Sequence, residues 1–155
     1  MSLDDLGDRI VLASVKEVID APANEIWPFL SAIGAERLLI PGCTKSVLVE
    51  GYGKGALRRI YFGDTSFDER ILECDSSNYK LKYEVIEPSM SPANGVLAAV
   101  QLVATGPDET TITWVSGAKS VPPEHKASIT EQGVGFCHGQ IASLRKLVRA
   151  TTTSF

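Results

Sequence analysis

The spacing of hydrophobic and polar positions changes along the chain and predicts a strand followed by two short helices. Residues from about Ile10 to Ile19 are rich in valine and isoleucine, which is typical of a strand. After the turn Asp-Ala-Pro, apolar residues recur at helical spacing from Ile26 to Ile33. We expect Asp20 to cap the start of this helix, because its carboxylate can accept from free backbone N–H groups. A second short helix is predicted over about Ala35 to Leu39.

Residues 44–118 contain six strand-like segments separated by turn residues, and a long amphipathic helix follows them. The predicted strands are Thr44–Glu50, Ala56–Phe62, Ser66–Cys74, Tyr79–Glu87, Gly95–Thr105 and Glu109–Ala118. Their short connections predict an antiparallel sheet. The helix runs from about Lys126 to Arg149. One helix cannot fill one face of a seven-stranded sheet, so this α+β order predicts a hollow between the sheet and the helices.

Composition and charge narrow the classes of function. The chain has 155 residues, of which 44% are hydrophobic and 22% charged, as expected for one globular domain over 1–155 with a core from about 10 to 149. The formal net charge of −4 argues against nucleic acid or anionic membrane as a partner. No apolar stretch is long enough for a membrane span, and the N-terminus lacks signal-peptide features. Three scattered cysteines favour reduced thiols, and hence a cytoplasmic protein.

Several segments together resemble the START-like (SRPBCC) superfamily, and especially its polyketide cyclase/dehydrase-like subgroup. Residues Val15–Trp27 form a strand, a D-A-P turn and a helix with tryptophan at its second turn. The segments Pro41–Val47, Gly55–Arg58, Glu69–Asp75 and Leu81–Tyr83 follow in the family's order. The resemblance implies a helix-grip fold, in which a curved seven-stranded antiparallel sheet wraps around a long C-terminal helix and leaves an internal cavity. Plant abscisic-acid receptors are more distant relatives.

Acids and bases inside an apolar cup are the first candidates for chemistry, because a buried charge is costly unless it is paired or used. Strand alternation places Arg58 with Ile60 and Phe62, and the resemblance implies that this face looks inward. Glu69 lies on the next strand, close enough to pair with Arg58. The pair either anchors and activates a substrate or only fixes the sheet.

Other candidate contacts rest mainly on the resemblance. It implies that Arg37 offers a basic group to a ligand, that Tyr83 lines the cup and that Asn94 contacts the ligand. For each there is a simpler interpretation: an exposed arginine, a core aromatic residue and an ordinary Asn-Gly turn. The predicted ligand contacts also include Ile60, Phe62 and Val96.

The long helix carries three glycines within seven residues, which is unusual because each costs about 1 kcal/mol against alanine. Gly135 and Gly139 share a face with Ser143, so we expect this stripe either to widen the cavity or to allow close packing. His138 is adjacent to the stripe and could serve as a general base, although a structural histidine is the simpler alternative.

These residues support two hypotheses of different classes. The first is a polyketide cyclase-like enzyme that promotes aldol or lactone ring closure of a small poly-carbonyl substrate, with Arg58, Glu69 and His138 as catalytic residues. The second is a non-catalytic carrier or sensor of a small hydrophobic ligand. Both predict a small hydrophobic molecule as partner and a monomer or homodimer. Neither needs a cofactor or a metal, because an activated methylene supplies the reactivity and no metal-ligand spacing occurs.

Overall fold

The computed structural model describes residues 3–150, which form seven strands, two α-helices and three short 3₁₀ turns. The strands are β1 (Ile10–Ile19), β2 (Lys45–Glu50), β3 (Leu57–Phe62), β4 (Thr65–Asp75), β5 (Lys80–Ile86), β6 (Leu97–Gly106) and β7 (Glu109–Ala118). The helices are α1 (Ala23–Leu30) and α2 (Lys126–Arg149), and the 3₁₀ turns are Leu3–Leu6, Glu36–Leu38 and Pro123–His125.

All seven strands form one antiparallel sheet in the order β1-β7-β6-β5-β4-β3-β2. Strands β2 to β7 follow one another as hairpins, as the short connections predicted. Strand β1 instead pairs with β7, because α1 and the turn at Glu36–Leu38 carry the chain from one edge of the sheet to the other. The helix-grip architecture expected from the sequence is confirmed.

The hydrophobic core lies between the inner face of the sheet and helix α2. Strand alternation points Ile60, Ile71 and Ile112 into this core, where they meet Ile141 and Leu144 of α2. These five side chains are fully buried, and burying one such side chain contributes about 1.5–3 kcal/mol. The C-terminal half of α2 therefore packs its apolar face against the sheet.

The outer face of the sheet is covered in one place by the 3₁₀ turn Leu3–Leu6. Leu6 is buried there against Leu97, Ala99 and Val115 of β6 and β7. This explains why the first four residues of β6, Leu97–Val100, are all apolar, since both faces of the strand are buried there. Within residues 3–150 no helix is long and apolar enough to cross a membrane.

Three local predictions were wrong. Asp20 does not cap α1: Pro22 occupies the N-cap position, without a side-chain cap. The second helix is a single 3₁₀ turn, Glu36–Leu38. The strand predicted from Gly95 begins only at Leu97, because Gly95 has φ +64°, outside the strand region.

Candidate functional site

An apolar cavity of about 420 Å³ lies between the sheet and the N-terminal half of α2. The sheet contributes most of its wall, through Leu12, Phe62, Phe67, Glu69, Tyr83, Val85, Ala98, Trp114 and Ser116, with Val96 just before β6. Helix α2 contributes Ile129, Gln132, Gly133, Phe136, Cys137 and Gln140. The loop between β5 and β6 closes the rest with Ser89, Met90, Ser91 and Pro92.

The mouth of the cavity is marked by the lining residues that remain exposed. Met90 of the β5–β6 loop is 51% exposed and Phe136 of α2 is 39% exposed. Both side chains reach solvent at one rim of the cavity, whereas Glu69, Tyr83 and Trp114 at the other end are buried. The cavity therefore opens between this loop and the helix, and its closed end lies at Glu69, Tyr83 and Trp114.

A buried ionic cluster borders the closed end. Arg58 contacts Oε1 of Glu69 through Nη2 at 2.8 Å and through Nε at 2.9 Å. On its other side, Nη1 of Arg58 lies 3.4 Å from Oε2 of Glu36. The three residues are only 5%, 6% and 4% exposed, respectively. Two carboxylates thus share one guanidinium out of contact with bulk water.

Local chain geometry brings these three side chains together. Arg58 and Glu69 are directly opposite each other in the β3–β4 register, on the inner face. Glu36 arrives from the 3₁₀ turn that follows α1, and its Oε2 accepts a hydrogen bond of 2.7 Å from the Gly34 N–H. Gly34 has φ +98°, which favours glycine and lets the chain turn back toward the carboxylate.

Electrostatics favour one proton on this cluster. Burial raises the pKa of Glu36 and that of Glu69, although Arg58 acts in the opposite direction on both. Glu69 makes the shorter contacts with Arg58, whereas Oε1 of Glu36 is buried without a hydrogen-bond partner. A neutral carboxyl is far less costly to bury unpaired than a carboxylate. We therefore assign the proton to Glu36 and the charge to Glu69.

Tyr83 links the ionic cluster to the cavity. Its ring lies 4.6 Å from the guanidinium carbon of Arg58, a cation–π distance. Its Oη accepts a hydrogen bond of 3.1 Å from Nε1 of Trp114. Burial raises the pKa of Tyr83, so the phenol stays neutral and keeps one O–H to donate.

The predicted site residues fall into two groups. Glu69, Phe62, Tyr83 and Val96 line the cavity. Arg58 does not line it, because Glu69 and the ring of Tyr83 lie around its guanidinium. Its position fits a group that holds Glu69 in place.

Three further residues expected to contact a ligand lie away from the cavity. Ile60 shares the inner face but is fully buried in the core. Arg37 is exposed, because the single 3₁₀ turn directs Glu36 inward and its neighbour outward. Asn94 is also exposed, and its backbone forms an isolated bridge with Ser120.

Of the glycine stripe of α2, neither Gly135 nor Gly139 lines the cavity. Gly135 is exposed and a Cβ there would meet nothing within 4 Å. Gly139 instead packs against Pro41, whose Cγ would lie 3.1 Å from a Cβ, so close packing is the correct alternative there. The hydroxyl of Ser143 donates back to the Gly139 carbonyl. The glycine that lines the cavity is Gly133, which sequence reasoning passed over.

His138 also lies outside the cavity. Its side chain is 51% exposed, and Nδ1 contacts Oε2 of Glu17 on β1. Arg145 completes this surface cluster, with Nη1 at 2.7 Å from Oε1 of Glu17. The neighbouring Cys137 occupies the cavity wall instead, and burial raises the pKa of its thiol to about 12, which keeps it protonated. Across residues 3–150 no cluster of histidine, cysteine or acidic side chains could hold a metal ion.

Comparison with solved structures shows the helix-grip fold. A protein from Thermobifida fusca solved by NMR is 21% identical, with a TM-score of 0.77 over 88% of this chain and 91% of that one. Norcoclaurine synthase from Thalictrum flavum, in complex with dopamine and hydroxybenzaldehyde, is 19% identical, with a TM-score of 0.72 over 99% and 95% of the two chains. Ara h 8.0201 is 17% identical, with a TM-score of 0.69 over 87% and 94%.

These likenesses define the class of the protein by its fold. No family model matches the chain, and no curated protein sequence does. Because these three structural matches are only 17–21% identical, they show the architecture alone, and this architecture includes at least one enzyme by name, norcoclaurine synthase.

Proposed function

We propose that this protein binds one small, largely apolar molecule in the cavity between the sheet and α2. The observation that carries this proposal is a cavity of about 420 Å³ whose walls are mostly apolar and whose closed end holds Glu69 and Tyr83. Cavities of about 300–1,000 Å³ with a few convergent polar groups are typical of small-molecule sites.

The apolar walls suit a flat guest. Phe62 and Phe67 are stacked, with ring centroids 6.2 Å apart and planes inclined by 12°. Such a pair offers a broad aromatic surface on the cavity wall, against which a planar molecule gains contact area. A neighbour of the same fold supports this interpretation, since norcoclaurine synthase holds dopamine and hydroxybenzaldehyde, two small aromatic molecules.

Binding is tested by titration with N-phenyl-1-naphthylamine, an uncharged apolar dye whose fluorescence rises in apolar surroundings. We expect saturable binding of one dye per chain. The variant Ala98→Phe fills the cavity from β6 and should weaken binding at least about tenfold, because its ring occupies the space of the guest. Ala104→Phe, on the exposed end of the same strand, is the matched control and should bind normally. Equal binding by the two variants would refute the proposal.

A second candidate function is cofactor-independent ring closure by a polyketide cyclase-like enzyme. The observation that favours it is Glu69, a carboxyl on the cavity wall whose pKa is raised by burial, as a proton-transfer group requires. In this mechanism the cavity holds a poly-carbonyl chain in a reactive shape, and Glu69 removes a methylene proton. Arg58 positions Glu69, and His138 takes no part, because it lies outside the cavity.

The two candidates are separated by Glu69→Gln. An enzyme that relies on Glu69 should lose at least about a hundredfold in ring-closure rate on a poly-β-carbonyl substrate. The dye should still bind, since Gln fills the same volume. Unchanged product formation with retained binding would exclude the catalytic role of Glu69.

A further inference from the structure

The ionic cluster at the closed end of the cavity presents a carboxylate to the cavity and no free cation. Glu36 and Glu69 oppose a single cation, Arg58, and all three are buried. With the proton on Glu36, Arg58 and Glu69 form a charge-balanced pair, and of the three residues Glu69 alone lines the cavity. The charged group of the cluster that a guest meets is therefore a carboxylate, which accepts from a donor and repels an anion.

Arg58 is not available to a guest. Glu69 contacts its Nε and Nη2, Glu36 contacts its Nη1, and the ring of Tyr83 covers the guanidinium at 4.6 Å. A ligand carboxylate entering the cavity would meet the carboxyl of Glu69 before any free cation. A guest carboxylate therefore finds no free guanidinium group at Arg58.

Glu69 offers the cavity an acceptor. Both of its contacts with Arg58 use Oε1, so its second oxygen, Oε2, keeps its lone pairs for a guest. The side chain forms part of the cavity wall, beside Tyr83. A hydroxyl or amine placed there would complete the hydrogen bonding of a buried carboxylate, an arrangement stronger than a bond between neutral groups.

We propose that the guest carries a hydrogen-bond-donating head, either a hydroxyl or a protonated amine, on a planar apolar body, and that Glu69 accepts from this head. Carboxylates of the same shape are excluded. This inference rests on the proposed binding function and specifies its ligand class. The body lies against Phe62 and Phe67, and the head reaches the closed end of the cavity.

The test uses four naphthalene probes of one shape, titrated against the tryptophan fluorescence of the protein at pH 7. They are 2-methylnaphthalene as the bare body, 2-naphthol, 2-(aminomethyl)naphthalene and 2-naphthoate. We expect at least one donor probe to bind at least about tenfold tighter than the bare body, the range of a hydrogen bond to a charged group. The naphthoate should bind more weakly than the bare body. The tighter of the two donors identifies the head as hydroxyl or amine.

Two variants test whether the preference for a donor comes from Glu69. Glu69→Gln should reduce the donor preference, measured as the affinity of the donor probe divided by that of the bare body, to less than about threefold. Glu50→Gln removes an exposed carboxylate that pairs with Arg70 far from the cavity, and it should change no affinity. Circular dichroism confirms that both variants are folded.

The outcomes separate this inference from the proposed function. If the bare body binds but the naphthoate binds as tightly as the donors, the donor specificity is refuted while the apolar site stands. If the bare body and both donors all fail to bind, the proposed function is refuted, and the inference with it.

Discussion

Removing the cation of the buried cluster, Arg58, should lower the free energy of unfolding far more than removing the exposed cation beside it, Arg59. Arg58→Met keeps the length of the side chain but leaves Glu36 and Glu69 without their shared partner. Arg59→Met is the matched control, since Arg59 is the next residue on β3 and pairs with Asp68 on the solvent side. The two variants differ only in which face of the strand loses its guanidinium.

The contrast in magnitude follows from burial. Breaking a buried ion pair typically costs about 3–5 kcal/mol, whereas an exposed pair is worth about 0–1 kcal/mol. A domain is usually stable by about 5–15 kcal/mol, so Arg58→Met should remove a large part of the free energy of unfolding. Arg59→Met should change it little.

The penalty of Arg58→Met should also depend on pH. Burial raises the pKa of Glu36 and Glu69 in the folded protein, and loss of Arg58 removes the main influence that lowers it. A carboxyl with a raised folded pKa stabilises the fold below its unfolded pKa, and this contribution is lost as pH rises through the folded pKa. The variant should therefore lose stability from pH 5 to pH 7.5 more steeply than the wild type, by at most about 1.4 kcal/mol per pH unit per proton.

Urea unfolding at pH 5 and pH 7.5 measures both effects. Where Arg58→Met alone is unfolded, the triple variant Arg58→Met/Glu36→Gln/Glu69→Gln tests the same reasoning, because it removes the carboxylates along with the cation. It should recover most of the lost stability and show no steeper pH dependence than the wild type. Equal costs for Arg58→Met and Arg59→Met, or a triple variant no more stable than Arg58→Met, would refute the account of the cluster.

Two smaller predictions concern α2 and the closed end of the cavity. Gly135→Ala should stabilise the protein by about 1 kcal/mol in urea unfolding, since a Cβ there meets nothing, while Gly139→Ala should gain less because Pro41 is in the way; an equal gain at both positions would contradict the packing of Gly139. Trp114→Phe should cost about 1–3 kcal/mol in the same assay, because it leaves the buried Oη of Tyr83 without its donor; no loss of stability would show that this bond contributes nothing.

Much of the fold could be predicted from the sequence because the strands alternate cleanly and the turns carry glycine and proline. The same alternation put Arg58 on one face with Ile60 and Phe62, and the family resemblance implied that this face looks inward beside Glu69; the structure has Arg58 and Glu69 opposite each other there. The pairing of β1 with β7 could not be read this way, since it depends on where α1 leads the chain.

The site was harder to predict because helix orientation is set by packing over the whole length of α2. The glycines suggested one face of α2 as the lining face. The face that does line the cavity is marked by the apolar residues Ile129 and Phe136, which are seven positions apart. The positions four residues after these two are Gly133 and Gln140, which also line the cavity, and His138 does not fall on this face. Glu36 left no local signal, because only the tertiary fold brings its short turn beside Arg58.

The central claim is that a small apolar molecule occupies the cavity, and intermolecular NMR contacts test it most directly. A ¹³C-methyl-labelled sample with bound N-phenyl-1-naphthylamine should show nuclear Overhauser effects from the dye to the methyl groups of Val85, Val96 and Ala98, which line the cavity. The exposed methyl groups of Val18 and Val103 should show none. Contacts confined to Val18 or Val103, with none to the cavity methyl groups, would contradict the account.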